Sequence, residues 1–229
     1  MKLYELVGRD REKGFSPYVW RIKMALAHKG LEAESVPLTF TEIKDAVDFA
    51  QSKTVPVLVD GDHIVKDSWD IACYLEGAYP DRPSLFGGSI GRGQAKLLNF
   101  QIAKPLLMPL FRTLVSDIYD ILDDDDQAYF RSTREPRIKC SIEEARTTTQ
   151  PALELFQENL WPYNQCLKTQ KYFSGDAPAY SDYILYGMFQ WARLVSPKKI
   201  INSDNPLYQW CERMDLLFGG MGGKIAPIY

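Results

Sequence analysis

"TVPVLVDGDHIVKDSW" (residues 54–69) carries several structural signals in a short space. Val55–Asp60 and His63–Lys66 read as two strands joined at Asp-Gly-Asp, a strong hairpin turn signal. Pro56 opens the first strand, a position where its missing N–H is tolerated. Spacing alone favours a trans Val55–Pro56 bond, because cis is the minority form of an X–Pro bond. Asp67-Ser68 then precedes the apolar helical pattern of Trp69–Ala78, which Ser68 is expected to cap.

Upstream of the hairpin the chain alternates strand and helix. Leu3–Val7 is a strand candidate, and "FSPYVWRIKMALAHKGL" (15–31) reads as a helix over Pro17–Lys29. Ser16 suits the N-cap, and Pro17 suits the first helical position, where a missing N–H costs nothing. Val19, Ile22, Leu26 and Ala27 fall near one face, leaving Arg21 and Lys23 to reach solvent. His28 and Lys29 in the last turn suit the helix dipole, and Gly30 can end the helix in a left-handed conformation. Glu34–Leu38 is a second strand. Thr41–Ala50 is a helix by its Ile43, Val47 and Ala50 spacing, with Thr41 as its cap. The order is βαβαββα, α/β at first and closed by an antiparallel pair. A strand, a loop and a buried helix present a helix N-terminus at a sheet edge, which is a place for an anion.

Downstream the character changes. "AYPDRPSLFGGSIGRG" (78–93) is rich in proline and glycine and reads as a linker. The expected division is 1–80, a linker at 81–90, and an all-helical domain over 91–229. Leu107, Leu110, Phe111, Leu114, Ile118, Ile121 and Leu122 keep one helical face. "DDDD" (123–126) ends that helix and is expected to be a solvated loop. Leu153, Phe156 and Leu160 mark a later helix, started or kinked by Pro151. Tyr183–Val195 is apolar enough to be central in the bundle. Asn205-Pro206 is a cap and first turn for a helix carrying Leu207, Trp210, Cys211 and Met214. "GGMGG" (219–223) follows a helix rather than a strand, so it reads as a flexible tail and not a nucleotide loop.

Bulk properties exclude several classes. The chain has 229 residues, 45% hydrophobic and 25% charged, as a soluble globular protein should be. A net charge of −3 gives no sign of nucleic-acid or membrane partners. No segment has the pattern of a secretion signal or a membrane span. Cys73, Cys140, Cys166 and Cys211 form no C-x-x-C and are expected to be free thiols in a reducing, cytoplasmic setting. His28 and His63 are the only histidines, and neither belongs to a metal-ligand cluster, so no metal is expected.

Ser-Pro at the first helix, Val-Pro before the third strand, Asp-Ser after the fourth, then a linker and a helical domain: in this combination the chain resembles the cytosolic glutathione transferases. It is most similar to the bacterial glutathione-dependent β-etherases and related fungal serine-type transferases. "SPYVWRIKMALAHKGL", "VPVLVD" and "DSWDIACYLEGAYPDRPSLF" carry the likeness, with "APAYSDYILYGMFQWA" (177–192) and "PLYQWCERMDLLFGGMGG" (206–223) in the helical part. The resemblance implies a thioredoxin-like N-terminal domain, an all-α C-terminal bundle, glutathione as co-substrate and a homodimer. It implies that Ser16 hydrogen-bonds the glutathione sulfur and that the Val55 backbone pairs with the cysteinyl part, beside Pro56 at a cis-proline position. It further implies that Asp67 and Ser68 hold the γ-glutamyl end, with Lys53 and Lys44 as looser candidates for the glycine carboxylate. Two positions depart from the family pattern. Asp67 is one methylene shorter than the frequent Glu, and Ala179 stands where a Ser or Thr cap would precede Asp182.

The chemistry follows from the thiol. A free thiol ionises near pH 8.5, and lowering that by about two units takes roughly 2.7 kcal/mol of preferential stabilisation of the anion. A hydroxyl donor and a helix N-terminus can supply that order of energy. Tyr4 and Tyr18 rank below Ser16 as donors. Neither histidine completes a Ser-His-Asp set with Ser16. A serine where the thiol–disulfide branch of the fold has a cysteine argues for displacement by glutathione rather than disulfide reduction. The electrophile pocket is expected between the domains, with Tyr18, Phe111, Tyr119, Phe189 and Trp191 as candidates, although ordinary core packing is the favoured role for each. The leading expectation is a transferase acting on aromatic electrophiles, with aryl-ether cleavage as its narrower form. The alternative is a carrier of hydrophobic ligands on the same fold with negligible turnover.

Overall fold

The coordinates are a computed structural model and describe residues 1–226. The N-terminal part runs β1 (Lys2–Leu6), α1 (Pro17–His28), β2 (Glu34–Leu38), α2 (Phe40–Ala46), β3 (Val57–Asp60), β4 (His63–Lys66) and α3 (Ser68–Ala78). The sheet order is β2-β1-β3-β4, with β1 parallel to β2 and the other two pairs antiparallel. This is the expected βαβαββα unit. Between Ala78 and Ser89 there is no regular element.

Everything after is helical: α4 (Ser89–Gln101), α5 (Met108–Asp120), α6 (Asp124–Ile138), α7 (Ile142–Thr147), α8 (Thr149–Glu158), α9 (Trp161–Leu167), α10 (Tyr180–Val195), α11 (Pro206–Asp215) and α12 (Leu217–Lys224). A π-helical stretch, Ala103–Leu107, joins α4 to α5. Pro105 has no N–H to give, and the N–H groups of Leu106 and Leu107 both turn back to the Ile102 carbonyl at 3.0 Å, which widens the turn. No helix among the described residues is long and apolar enough to cross a membrane.

The two parts meet where α1 crosses α10. Only Ser181 and Arg193 of α10 escape full burial, so this helix is the axis of the core. Gly187 makes the crossing close, since a Cβ there would run into the Pro17 carbonyl oxygen. Gly187→Ala is therefore expected to cost about 2 kcal/mol by overpacking. Denaturant unfolding checks it, and an unchanged midpoint would mean that the helices can separate freely.

Several local expectations are corrected by tertiary contacts. Thr39, not Thr41, precedes α2 in extended conformation, and its N–H donates to Glu42 Oε2 at 2.9 Å. α2 stops at Ala46, and a separate single turn follows at Asp48–Ala50. Asp67, not Ser68, caps α3, taking the Trp69 N–H at 2.8 Å. Arg21 does not reach solvent; it is 1% exposed. Lys29 is also buried, bonding the carbonyls of Tyr79 and Pro83 and pairing with Glu76 at 2.9 Å. The acidic run is not a solvated loop. Asp123 caps α6, and Asp126, fully buried, accepts from the N–H groups of Phe40 and Thr41 at 2.7 and 2.8 Å. A helix of the C-terminal part thus caps a helix of the N-terminal part. Finally, "GGMGG" is no loose tail. Gly219 and Gly220 take φ of 71° and 81°, the chain turns back, and the Gly222 carbonyl accepts from Gln190 and Arg193 of α10.

Candidate functional site

Strand register assembles the site. Val57 pairs with Tyr4 of β1 and with Lys66 of β4. The end of β1, the start of β3 and the end of β4 therefore share one edge of the sheet. Val55-Pro56 enters β3 at that edge, and Asp67-Ser68 leaves β4 there. The Phe15 N–H bonds the Leu6 carbonyl at 3.1 Å, which returns the chain after the 8–15 loop to the same edge and sets Ser16 at the head of α1.

Ser16 is 5% exposed, in extended conformation. Its Oγ accepts the Val19 N–H at 3.4 Å, a long cap bond. An accepting hydroxyl keeps its own proton to give away. The first turn of α1 contains no acidic residue to oppose the positive end of the helix. Around it, the Trp20 indole N–H donates to the Gly14 carbonyl at 2.9 Å, and Lys23 pairs with the buried Glu5 at 2.6 Å. The serine stands on a braced loop.

The Val55–Pro56 bond is cis, as the resemblance implies and against the frequency of X–Pro isomers. Pro56 is buried and Val55 half-buried. Asp67 takes a left-handed φ of 68°, unusual for a non-glycine residue, and its cap bond to Trp69 holds it there. Ser68 is 2% exposed, and its carbonyl accepts the Tyr180 hydroxyl of α10 at 2.8 Å. Lys44, on α2, and Lys53, before β3, are both exposed.

A cleft of about 410 Å³, which Phe15 but not Ser16 lines, opens between the 8–15 loop and the ends of α5 and α10. Phe15 and Leu194 form apolar parts of its wall, and Arg9, Asp10, Lys13 and Asp120 form polar ones. The Arg9 N–H bonds the Ile121 carbonyl at 2.9 Å and its Nη2 the Leu122 carbonyl at 2.7 Å, so the loop is fastened across the cleft. This wall is the long, charged loop "GRDREKGF" (8–15).

The five aromatic candidates lie outside this lining. Phe111 and Trp191 come together, stacked with centroids 6.3 Å apart. Tyr119 lies under Arg131, 5.0 Å from ring to guanidinium. Phe189 meets Phe156 and Trp210 edge-on at 6.3 and 5.9 Å. It also borders a second pocket, of about 330 Å³, near the end of α10. Tyr18 is 42% exposed, with the Arg21 guanidinium 4.6 Å from its ring. Tyr4 packs on Phe49 at 5.5 Å. The four cysteines are unpaired, and no group of His, Cys, Asp and Glu among the described residues could hold a metal.

Comparison with known proteins finds the family description "Glutathione S-transferase, N-terminal domain" over residues 15–78 and "Glutathione S-transferase, C-terminal domain" over residues 96–212. A glutathione S-transferase-like protein, ustS, of Aspergillus flavus is 24% identical over 212 residues, covering 79% of this chain and 75% of that one. Glutathione S-transferase Z1 of Arabidopsis thaliana is 41% identical over 70 residues, 28% of this chain and 31% of that one. Among solved structures, glutathione transferase GSTFuA2 of Phanerochaete chrysosporium matches at 24% identity and TM-score 0.77, covering 97% of this chain and 93% of that one. CsGST63524 of Ceriporiopsis subvermispora, solved in complex with glutathione, matches at 19% identity and TM-score 0.79, covering 100% and 99%.

Proposed function

Since the chain belongs to the glutathione S-transferase family, we propose that it binds glutathione at the Ser16, Val55-Pro56 and Asp67-Ser68 edge and joins the glutathione sulfur to a hydrophobic aromatic electrophile. The observation that carries this reading is Ser16: a buried hydroxyl at a helix N-terminus that accepts a cap bond and keeps its own proton to donate, directly after Phe15 of the cleft wall. Ser16 donates to the thiolate and helps the thiol lose its proton to solvent. The sulfur attacks an electrophilic carbon, a C–S bond forms, and the leaving group departs with its electron pair. In the narrower form of the proposal that group is an aryloxide, and an aryl ether is cleaved. Asp67 and Ser68 hold the γ-glutamyl end, the Val55 backbone pairs with the cysteinyl unit, and Lys44 or Lys53 meets the glycine carboxylate.

Glutathione at about a hundredfold over its dissociation constant is expected to stabilise the protein by roughly 2.7 kcal/mol. For a chain of this size that raises the melting temperature by about 5–10 °C. An unmoved melting temperature at millimolar glutathione counts against the reading. Turnover is then measured with an aryl halide and an aryl ether. Binding without turnover on either assigns the chain to the carrier alternative.

We also propose a homodimer. On α4, Ile90, Leu97 and Phe100 are 82%, 61% and 64% exposed and lie at helical spacing. A large apolar stripe left open on one helix calls for a partner surface, and twofold pairs are the commonest oligomers. Light scattering at micromolar concentration is expected to give twice the chain mass, and Leu97→Glu to shift it to the monomer. A monomeric wild type overturns the dimer.

A further inference from the structure

Arg21 sits beyond Ser16 on α1, 1% exposed. A guanidinium stays charged at any physiological pH, and a buried charge needs compensation. Here little is provided. Nη1 donates to Asn99 Oδ1 of α4 at 2.7 Å, and Tyr18 offers its ring face. Nε and Nη2 are buried and have no acceptor among the described residues. Other cations of the N-terminal part are treated differently: Lys29 pairs with Glu76 at 2.9 Å, and Lys23 with Glu5 at 2.6 Å. Arg21 alone of these three lacks a contacting carboxylate.

Its place in the fold gives that charge a use. α10 passes Arg21 at Gly187, where an added Cβ would come within 3.2 Å of the Arg21 Cγ. The same helix sends the Tyr180 hydroxyl to the Ser68 carbonyl. The guanidinium thus lies between α4 and α10, and it is α10 that braces the Asp67-Ser68 corner through Tyr180. Burial lowers the Arg21 pKa, and the fields of Tyr180, Tyr18 and then Asp67 oppose that shift. In the proposed binding mode that corner receives an α-ammonium and an α-carboxylate together. Asp67 suits the ammonium and repels the carboxylate. The N-terminus of α3 attracts the carboxylate, and an unneutralised cation behind the corner offsets Asp67. A field from a buried charge is screened little by salt.

We infer that Arg21 is a positioning residue whose buried charge holds the α-carboxylate of glutathione at the Asp67-Ser68 corner. This rests on the glutathione reading above. The test removes the charge from each side in turn. Binding of glutathione and of 4-aminobutyryl-cysteinyl-glycine, which lacks only the α-carboxylate, is measured calorimetrically for wild type, Arg21→Met and Arg21→Lys. Arg21→Met is expected to weaken glutathione binding about tenfold or more. It should leave binding of the carboxylate-free peptide and kcat at saturating glutathione near wild type. Arg21→Lys should keep most of the affinity. Equal weakening of both peptides, or none of either, overturns the inference and leaves Arg21 a packing residue. Where Arg21→Met does not fold, Arg21→Gln, which retains a donor for Asn99, is read by the same criteria. Wild type that fails to bind glutathione sinks the functional reading and this inference with it. Wild type that binds, with no preferential loss for glutathione in the variants, sinks the inference alone.

Discussion

Ser16→Ala is expected to lose about ten- to a hundredfold in rate at neutral pH, because a hydrogen bond to a charged group is worth roughly 1.5–3 kcal/mol. The sign with pH is fixed by what the serine stabilises. In the proposed role it favours the thiolate, so the bound thiol of wild type is expected to ionise at lower pH than that of the variant. The two rates should therefore converge as pH rises through the ionisation of the variant's bound thiol, where hydroxide removes the proton unaided. A cap-only serine predicts something else: about 1 kcal/mol less stability, with normal turnover per folded molecule. The 3.4 Å bond from the Val19 N–H shows that Ser16 does cap α1, so some loss of stability accompanies either reading. Only the pH–rate profile separates them. Superimposable profiles for Ser16→Ala and wild type would leave Ser16 a cap and move the search to Tyr18, Tyr4 or a backbone N–H. Ser16→Cys provides a second arm, since a cysteine at a helix N-terminus ionises readily and should gain disulfide exchange with glutathione.

The elements around Ser16 were legible because short-range chemistry decides them. Pro17 and Gly30 punctuate α1, and β2 occupies Glu34–Leu38 as its residues suggest. Asp-Gly-Asp sets the hairpin register that places Val55 and Asp67 at one edge. What stayed hidden depends on partners far away in sequence. Asp126 reads as one acid in a solvated run, yet Phe40 and Thr41, some 86 and 85 residues distant, supply the N–H groups that bury it. Arg21 reads as the polar face of an amphipathic helix. It is interior because α1 is covered on more than one side, by α3, α4 and α10. An apolar stripe reports one buried face and says nothing about whether the other is covered too. The cleft wall was only half legible. The charged loop is visible in the sequence, but its fastening to Ile121 and Leu122 is a tertiary fact.

The largest stability effect is expected at Asp182. This residue lies in the first turn of α10 and is fully buried. Oδ1 accepts the Phe173 N–H at 2.8 Å and the Trp210 indole N–H at 3.0 Å. Oδ2 accepts the N–H groups of Ser174 and Ala179, both at 3.2 Å. Ala179 has no side-chain acceptor, so half of the usual capping box is missing, and the carboxylate serves the helix start alone. Burial pushes the Asp182 carboxyl up in pKa, while these donors pull against that shift. One side chain thus joins the loop before α10, the start of α10 and α11. Asp182→Ala would leave the buried Trp210 N–H and three part-buried backbone N–H groups without this acceptor, at an expected cost of about 4 kcal/mol. For a protein of this size that is a fall of roughly 10 °C in melting temperature. Asp182→Asn is the sharper test. It is close to isosteric, but it replaces one accepting oxygen with an amide NH₂ that faces N–H donors, so it should be destabilised too. If Asp182→Asn melts with wild type, the donors are satisfied some other way and the carboxylate is not the joint. If it falls with Asp182→Ala, the helical part is tied to the proposed glutathione edge through this helix. Tyr180, two residues earlier, then depends on the same joint to keep its hydroxyl on the Ser68 carbonyl.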